Sequence, residues 1–339
     1  QRQMCIRDRQ YEQLMARYIK HHEQRLAMLF EDVFIEKYRI MHATHLKKLF
    51  LIDFAYMPVE KRLERIKKVV QTEVKRKTKA VLQALNGRYE EAIGRALNGI
   101  RNDENRRRIV TKFIDERDER IPKIKQEAKS IATTYMRKFQ KTKIKNMYRE
   151  FVTNRDLLNE LAPEWTFEET ENFLKAHQKE QWALEDLAAL YYLQARIKGI
   201  EDKWKMRVVF IDEVQDYSYF QLAALKTGLE TDMFTMVGDL AQGIHSYRSL
   251  TDWAPVLELF PRATYATLQK SYRTTIEIME VANRILLQMD EDLPLVEPVV
   301  RHGKPPEFIA CEQFNPTVIA NTYATIKASG HRSVALICK

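Results

Sequence analysis

Apolar residues recur every three or four positions through much of residues 10–160, and lysine and arginine fill the positions between them. One apolar stripe comprises Leu63, Ile66, Val70, Val74, Val81 and Leu85. A second comprises Ile109, Phe113, Ile121, Ile124, Ala128, Ile131, Tyr135 and Phe139. This spacing puts each stripe on one helix face and predicts long amphipathic helices, arranged as a bundle or a coiled-coil arm. Asn-Gly pairs at 86–87 and 98–99 predict a helix stop at each pair.

From Met206 onward, short apolar runs alternate with helical segments, which predicts an α/β arrangement with a parallel sheet. The run at 207–211 is too short and too continuous for an amphipathic helix, and it is typical of a buried strand. The predicted strands are 207–211, 233–237, 263–268, 307–310 and 333–337. The predicted helices are 221–226, 274–288 and 316–328. A proline-rich stretch at 294–306 predicts a linker into another domain.

Charge divides the chain into a basic part and a mildly acidic part. Residues 1–150 contain 37 Lys and Arg against 20 Asp and Glu, whereas residues 151–339 contain 19 against 27. Basic helices suit a nucleic acid or an acidic protein surface, but a solvated helix face has the same composition. Charge alone leaves these interpretations open.

The remaining composition indicates a cytoplasmic protein. No apolar run approaches the roughly 20 residues of a membrane span, and no apolar block near the start indicates a secretory leader. Cys5, Cys311 and Cys338 have neither metal-site spacing nor the pattern of a disulfide framework. Residues 1–9 fit no element, and we interpret them as a non-native leader.

The stretch VVFIDEVQDYS ends an apolar run in two adjacent acids, Asp212 and Glu213. Ligands of open α/β sheets bind outside the carboxyl ends of the strands. Two carboxylates there offer oxygen ligands for Mg²⁺ and a base for phosphoryl transfer to water. A strand that simply ends in a solvated turn would show the same local pattern.

The following strands also end in polar motifs, which strengthens the prediction of a nucleotide site. The strand at 233–237 leads into GDLAQGIHSYR, and the strand at 263–268 leads into LQKSYRTT. These motifs add carboxylate, amide, aromatic and arginine side chains, and the planar guanidinium of arginine suits phosphate.

The ordered set DEVQD, GDLAQGIHSYR and LQKSYRTT resembles the motifs of the UvrD/Rep/PcrA-like superfamily 1 helicase motors. With EDLAALYYLQ and the ending SVALICK, it is most similar to the HelD branch, the RNA polymerase recycling ATPases. The motifs cover about 180–339, and the resemblance of 10–160 is weaker. The resemblance implies an incomplete α/β RecA-like P-loop motor lobe with a parallel sheet and a large all-α helical insertion. The implied domains are a helical arm at 10–160, part of the first lobe at 161–293, a linker at 294–306 and the start of a second lobe at 307–339.

The resemblance also implies residue roles, with ATP and Mg²⁺ as cofactors. Asp212 and Glu213 would hold Mg²⁺, and Glu213 would also activate the attacking water. Gln242 and Arg273 would contact the γ-phosphate, and Tyr272 would stack on the nucleotide base.

For nucleic acid, the resemblance implies that Tyr247 stacks on single-stranded DNA and that His245 lies beside it. His245 stands where a tyrosine is common, and Ser249-Leu250 replaces the usual Gly-Ala. These departures put translocation along single-stranded DNA in doubt more than ATP hydrolysis.

No segment matches the P-loop pattern G-x-x-x-x-G-K-[ST]. The glycines at 94 and 99 and those at 238 and 243 have the spacing without the lysine that follows. We therefore expect a piece of a longer motor that does not hydrolyse ATP alone. The expected partners are RNA polymerase and DNA, and no membrane. The alternatives are a 3'-5' DNA helicase of the UvrD type and a non-catalytic helical binding module.

Overall fold

The structure is a computed structural model, and it describes residues 2–141, 143–177, 182–243, 250, 252–288, 295–298, 301–310 and 316–337. The chain divides into two compact units, Gln1–Ala263 and Thr264–Lys339. Both contain more helix than strand. In the described parts of the chain, no helix is long and apolar enough to cross a membrane.

The first unit is built mainly from helices. They are α1 (Arg2–Met28), α2 (Ala43–Lys48), a π-helical segment (Leu49–Asp53), α3 (Val59–Gly99), α4 (Asp103–Met136), α5 (Ile144–Thr153), α6 (Arg155–Leu161), α7 (Phe167–Ala176), α8 (Leu184–Ile197), α9 (Tyr219–Leu229) and α10 (Ala254–Leu259). Its strands form an antiparallel pair, β1 (Val33–Ile35) with β2 (Tyr38–Met41), and a parallel pair, β3 (Val209–Ile211) with β4 (Phe234–Met236).

Helix α3 carries the first apolar stripe that the sequence predicts, and α4 carries the second up to Tyr135, with Phe139 just after the end of the helix. In the first stripe every residue is buried except the half-buried Val81. In the second, Ile124 and Phe139 are buried and the other members are half-buried. The Asn102 side chain caps α4 by accepting a hydrogen bond from the Asn105 N–H. The predicted large helical region is therefore confirmed.

One of the two predicted helix stops is wrong. α3 continues through Asn86-Gly87 and ends only at Gly99, the second Asn-Gly pair. Leu85 is buried and Tyr89 packs against the same core, so apolar contacts lie on both sides of Gly87. Burial of this face outweighs the roughly 1 kcal/mol that a glycine costs in a helix interior.

A single large apolar core joins α1, α3, α4, α5 and α8. Its fully buried side chains include Tyr18, Phe50, Ile66, Ile124, Phe151 and Leu193. The Tyr18 hydroxyl donates a hydrogen bond of 2.9 Å to the carbonyl of Met147, so the phenol is buried with its polar atom satisfied.

The parallel pair β3–β4 has its own smaller apolar cluster, which includes Ile211, Val214, Leu222 and Val256. Helix α9 follows β3 and begins at a capping box, in which Ser218 and Gln221 satisfy each other's backbone N–H groups. Both strands are shorter than predicted, but they lie in the predicted positions and pair in parallel.

The second unit contains β5 (Lys270–Ser271), which pairs in parallel with β6 (Glu297–Pro298). Helix α11 (Ile276–Leu286) lies between these strands in sequence, and α12 (Pro316–Ala328) follows them. The helices confirm the sequence prediction. The predicted strands at 263–268, 307–310 and 333–337 are wrong, because the structure assigns no strand there. Most apolar side chains in these segments are exposed, as at Leu268 and Phe308, and the described chain offers these segments no ladder partner that would hold them extended.

Candidate active site

The predicted acidic strand end has an unusual backbone. Glu213 follows β3 and Asp212 in the left-handed region, with φ 51° and ψ 44°. A residue with a Cβ is strained there by roughly 1–2 kcal/mol. Hydrogen bonds hold the turn on both sides: Glu213 N–H donates to Asp212 Oδ1 at 2.9 Å, and Val214 N–H donates to the Val237 carbonyl at 3.0 Å. Strain of this kind is concentrated at functional sites.

A buried amide lies directly behind the Glu213 carboxylate. Gln215 is only 2% exposed, and its Nε2 donates to Glu213 Oε2 at 2.6 Å. Its Oε1 accepts a hydrogen bond of 3.0 Å from the Asp239 N–H, at the end of β4. Gln215 therefore connects the ends of the two parallel strands.

The end of β4 fits tightly around this amide. A Cβ added at Gly238 would lie 2.5 Å from Gln215 Oε1 and 2.9 Å from Val214 Cγ1. Gln215 or Val214 would have to shift to make room for a side chain, so glycine at position 238 favours close approach of the backbone. The glycine therefore lets Asp239 come within hydrogen-bonding distance of Gln215.

Asp239 in turn holds the predicted γ-phosphate sensor. Its Oδ2 accepts a hydrogen bond of 2.8 Å from Gln242 Nε2, and its Oδ1 accepts one of 3.0 Å from the Ala241 N–H. A continuous path of hydrogen bonds thus runs from Glu213 through Gln215 and Asp239 to Gln242. The structure brings Asp212, Glu213 and Gln242 to one edge of the β3–β4 pair.

The sequence alone predicts no role for Gln215 or Asp239. Both stand inside the motifs DEVQD and GDLAQ. The sequence shows Gln215 and a third acid, Asp216, after the first predicted strand, and Gly238-Asp239 directly after the next one. Neither pattern indicates which side chain faces the other.

Two predicted site residues, Tyr272 and Arg273, belong to the second unit. They directly follow β5, and both side chains are exposed, Tyr272 at 71%. Glu277 lies in the first turn of α11, and its carboxylate accepts hydrogen bonds from its own backbone N–H, from His302 and from the Gly303 N–H. These hydrogen bonds lower the pKa of Glu277 to about 2. This carboxylate anchors the chain around Gly303 to the first turn of α11.

The predicted nucleic-acid contacts Tyr247 and His245 lie outside the described residues. Their roles stay predictions.

The strand-end side chains fit a magnesium site by their chemistry. Asp212 and Glu213 are exposed and offer hard carboxylate oxygens. Mg²⁺ is commonly held by one or two carboxylates, substrate phosphates and water. Accordingly, the site needs no larger ligand cluster, and the described residues contain no group of three or more His, Cys, Asp or Glu side chains arranged for a metal.

Comparison with known proteins finds similarity to DNA helicases. The chain is 32% identical over 109 residues to the ATP-dependent DNA helicase UvrD2 of Mycobacterium bovis and to that of two strains of Mycobacterium tuberculosis. This similarity supports a relationship to the UvrD-like helicases. The match covers 30% of this chain and 15% of the length of each helicase. No family model matches the chain.

Proposed function

We propose that this chain is part of an ATP-driven motor of the UvrD-like helicase superfamily, most like the HelD branch, with a RecA-like motor lobe. The observation that carries the proposal is the hydrogen-bonded path from Glu213 to Gln242 across the ends of two parallel strands. A base and a polar sensor at this edge are two of the parts that hydrolysis of a nucleoside triphosphate requires.

Within this proposal each residue has a specific task. Asp212 and Glu213 would hold Mg²⁺, which when bound neutralises charge on the phosphates. Glu213 takes the proton of the attacking water on its carboxylate, and the hydrogen bond from Gln215 to Oε2 orients that carboxylate.

The resemblance also implies tasks in recognition of the nucleotide. Gln242 exchanges its contact with Asp239 for the γ-phosphate, and a γ-phosphate contact is likewise the role that the resemblance implies for Arg273. The exposed Tyr272 ring stacks on the nucleotide base.

The proposed task of the motor is to release nucleic acid from RNA polymerase. The large basic helical part supports a partner with a negative surface, and conformational work would pass through its long helices. The departures at His245 and Ser249 favour this task over translocation along single-stranded DNA.

A second candidate function is a 3'-5' DNA helicase. The observation that favours it is the local similarity to proteins named as DNA helicases. A third reading, a non-catalytic helical binding module, requires that the strand-end side chains have no chemistry to perform.

The deciding experiment compares Mg²⁺-ATPase rates of the full-length product of the gene that encodes this chain, as wild type and as Glu213→Gln. Rates are measured alone, with single-stranded DNA and with RNA polymerase. Loss of the general base is expected to lower kcat by about 100-fold or more. Glu230→Gln is a matched control, because Glu230 is another glutamate in the left-handed region, with φ 53°, and it pairs with Lys205 away from the strand ends.

Stimulation by polymerase that disappears in Glu213→Gln supports the recycling motor. Strong stimulation by single-stranded DNA alone supports the helicase instead. Absence of ATPase activity under every condition overturns both and supports the binding module.

A further inference from the structure

We propose that Gln215 is a positioning residue, which fixes the Glu213 carboxylate and couples its position to the loop that carries Gln242. The inference rests on the proposed ATPase function. In this role the buried Gln215 amide connects the ends of β3 and β4 and does not itself contact the nucleotide.

The direction of the Gln215 amide follows from its partners. The Asp239 N–H can only donate a hydrogen bond, so the side-chain atom 3.0 Å from it must be the carbonyl oxygen Oε1. The amide nitrogen Nε2 must then point at Glu213 Oε2, 2.6 Å away. The partner of this N–H must be an acceptor, and Glu213 Oε2 is one, so the contact fixes the orientation of the Glu213 carboxylate.

Burial prevents the amide from turning away. Gln215 is 2% exposed, and Gly238 packs so closely on Oε1 that a single added carbon would lie 2.5 Å from it. An amide in this position loses two hydrogen bonds if it rotates. The Glu213 carboxylate is therefore held in one orientation by a side chain that is itself fixed.

The backbone of Gln215 adds a third connection. Its carbonyl accepts a hydrogen bond of 3.0 Å from the Leu250 N–H, while its side chain binds the Asp239 N–H. Gln215 thus contacts the chain after β4 at Asp239 and at Leu250. A shift of Asp239 when Gln242 changes partner would move the amide and, with it, the Glu213 carboxylate.

Exchanging the side chains at positions 213 and 215 tests the hydrogen bond between them. The readout is thermal stability, which needs no enzymatic activity, and it can be measured on this chain and on the full-length protein. Gln215→Glu places two carboxylates face to face and is expected to lower the midpoint of thermal unfolding by roughly 3–10 °C. Adding Glu213→Gln is expected to restore most of this loss, because the amide now at position 213 donates to the carboxylate at position 215. Strict additivity of the two changes would overturn the contact.

Steady-state kinetics of the full-length protein test the positioning role. Gln215→Met keeps the side-chain length and removes both hydrogen bonds. We expect kcat to fall by about 10-fold to 100-fold, with KM for ATP within about 3-fold of wild type. Gln194→Met is the matched control, since Gln194 is a half-buried glutamine whose Nε2 donates to the Gly199 carbonyl in the helical part. It should leave kcat unchanged.

The outcomes separate this inference from the proposed function. An unchanged kcat in Gln215→Met, or a rise in KM alone, overturns the positioning role while the ATPase function stands. Absence of hydrolysis by the wild type overturns the proposed function and, with it, the positioning role of Gln215. Thermal unfolding of the variants with exchanged side chains still decides whether Gln215 and Glu213 are in contact. If Gln215→Met does not fold, Gln215→Asn replaces it: an amide too short to bridge both partners should lower kcat in the same way.

Discussion

Gly238 shows at the scale of one residue how the candidate site depends on close packing. Its backbone is not in the left-handed region, and what favours glycine here is the lack of room for a side chain. The nearest atoms to an added Cβ would be Gln215 Oε1 and Val214 Cγ1. Some other glycines of the chain lie in open surroundings. Gly87, inside α3, has no atom within 4 Å of an added Cβ.

We therefore expect opposite effects from the same substitution at these two positions. Gly238→Ala should lower the free energy of unfolding by about 1–3 kcal/mol, because Gln215 and Val214 must move. Gly87→Ala should raise it by about 0.5–1 kcal/mol, because alanine is the better helix former. Urea unfolding followed by circular dichroism measures both values. A stable Gly238→Ala variant would mean that β4 does not approach Gln215 as described.

At the scale of elements, a buried arginine organises the turn between the π-helical segment and α3. Arg62 is 2% exposed, and its guanidinium donates to the carbonyls of Met57 and Ala55 at 2.6 and 2.8 Å. It also pairs with Glu23 of α1 at 3.0 Å and lies over the Phe50 ring. One side chain thus connects α1, the π-helical segment and the start of α3.

Arg62→Leu is expected to lower the free energy of unfolding by about 3–5 kcal/mol, since it leaves the Glu23 carboxylate and two carbonyls without their partner. Arg76→Leu is the control, because Arg76 pairs with Glu73 one turn away on the same helix but its side chain is 66% exposed. An exposed ion pair of this kind contributes little, so this variant should unfold at the same urea concentration as wild type. Equal effects of the two variants would contradict the burial of Arg62.

How far the elements follow from the sequence depends on how local their causes are. The apolar stripes of α3 and α4 predicted long helices because helical periodicity is written in neighbouring residues. The stop at Asn86-Gly87 was wrongly predicted because packing of Leu85 and Tyr89 overrides a local signal. The short strands at 307–310 and 333–337 were wrongly predicted because strands depend on partners distant in sequence.

At the scale of the whole molecule, the separation of charge is the property that bears most on partners. The excess of lysine and arginine lies in residues 1–150, and α4 exposes Arg107 and Arg108. If this part contacts a polyanion, binding must weaken steeply with salt, because each neutralised phosphate releases a counterion.

We expect Arg107→Gln with Arg108→Gln to weaken binding to a single-stranded oligonucleotide. The slope of log affinity against log salt should fall in magnitude by about 1.4, roughly 0.7 for each phosphate contact removed from a single strand. Fluorescence anisotropy over a series of salt concentrations provides the measurement. Lys175→Gln with Lys203→Gln is the control, since both are exposed lysines of the acidic part. Identical slopes for all three proteins would mean that the basic side chains form only a solvated face.

The sequence by itself determined the helical character of the first part, the division of charge and the order of the polar motifs after the short strands. These properties depend on residues close together in the chain, whose spacing and composition can be read from the sequence without knowledge of distant contacts. Asp212 and Glu213 were identifiable as candidates because they follow a predicted strand, whereas the role expected of Gln242 came from the resemblance of the motifs to helicase motors.

Only the tertiary structure decided how those candidates are connected. The left-handed backbone of Glu213, the buried amide of Gln215 and the close approach of Gly238 all depend on β3 and β4 lying side by side. A sequence pattern gives the direction of a side chain along its own strand or helix. The partner across the sheet is fixed by packing and by the need of every buried polar group for a hydrogen bond.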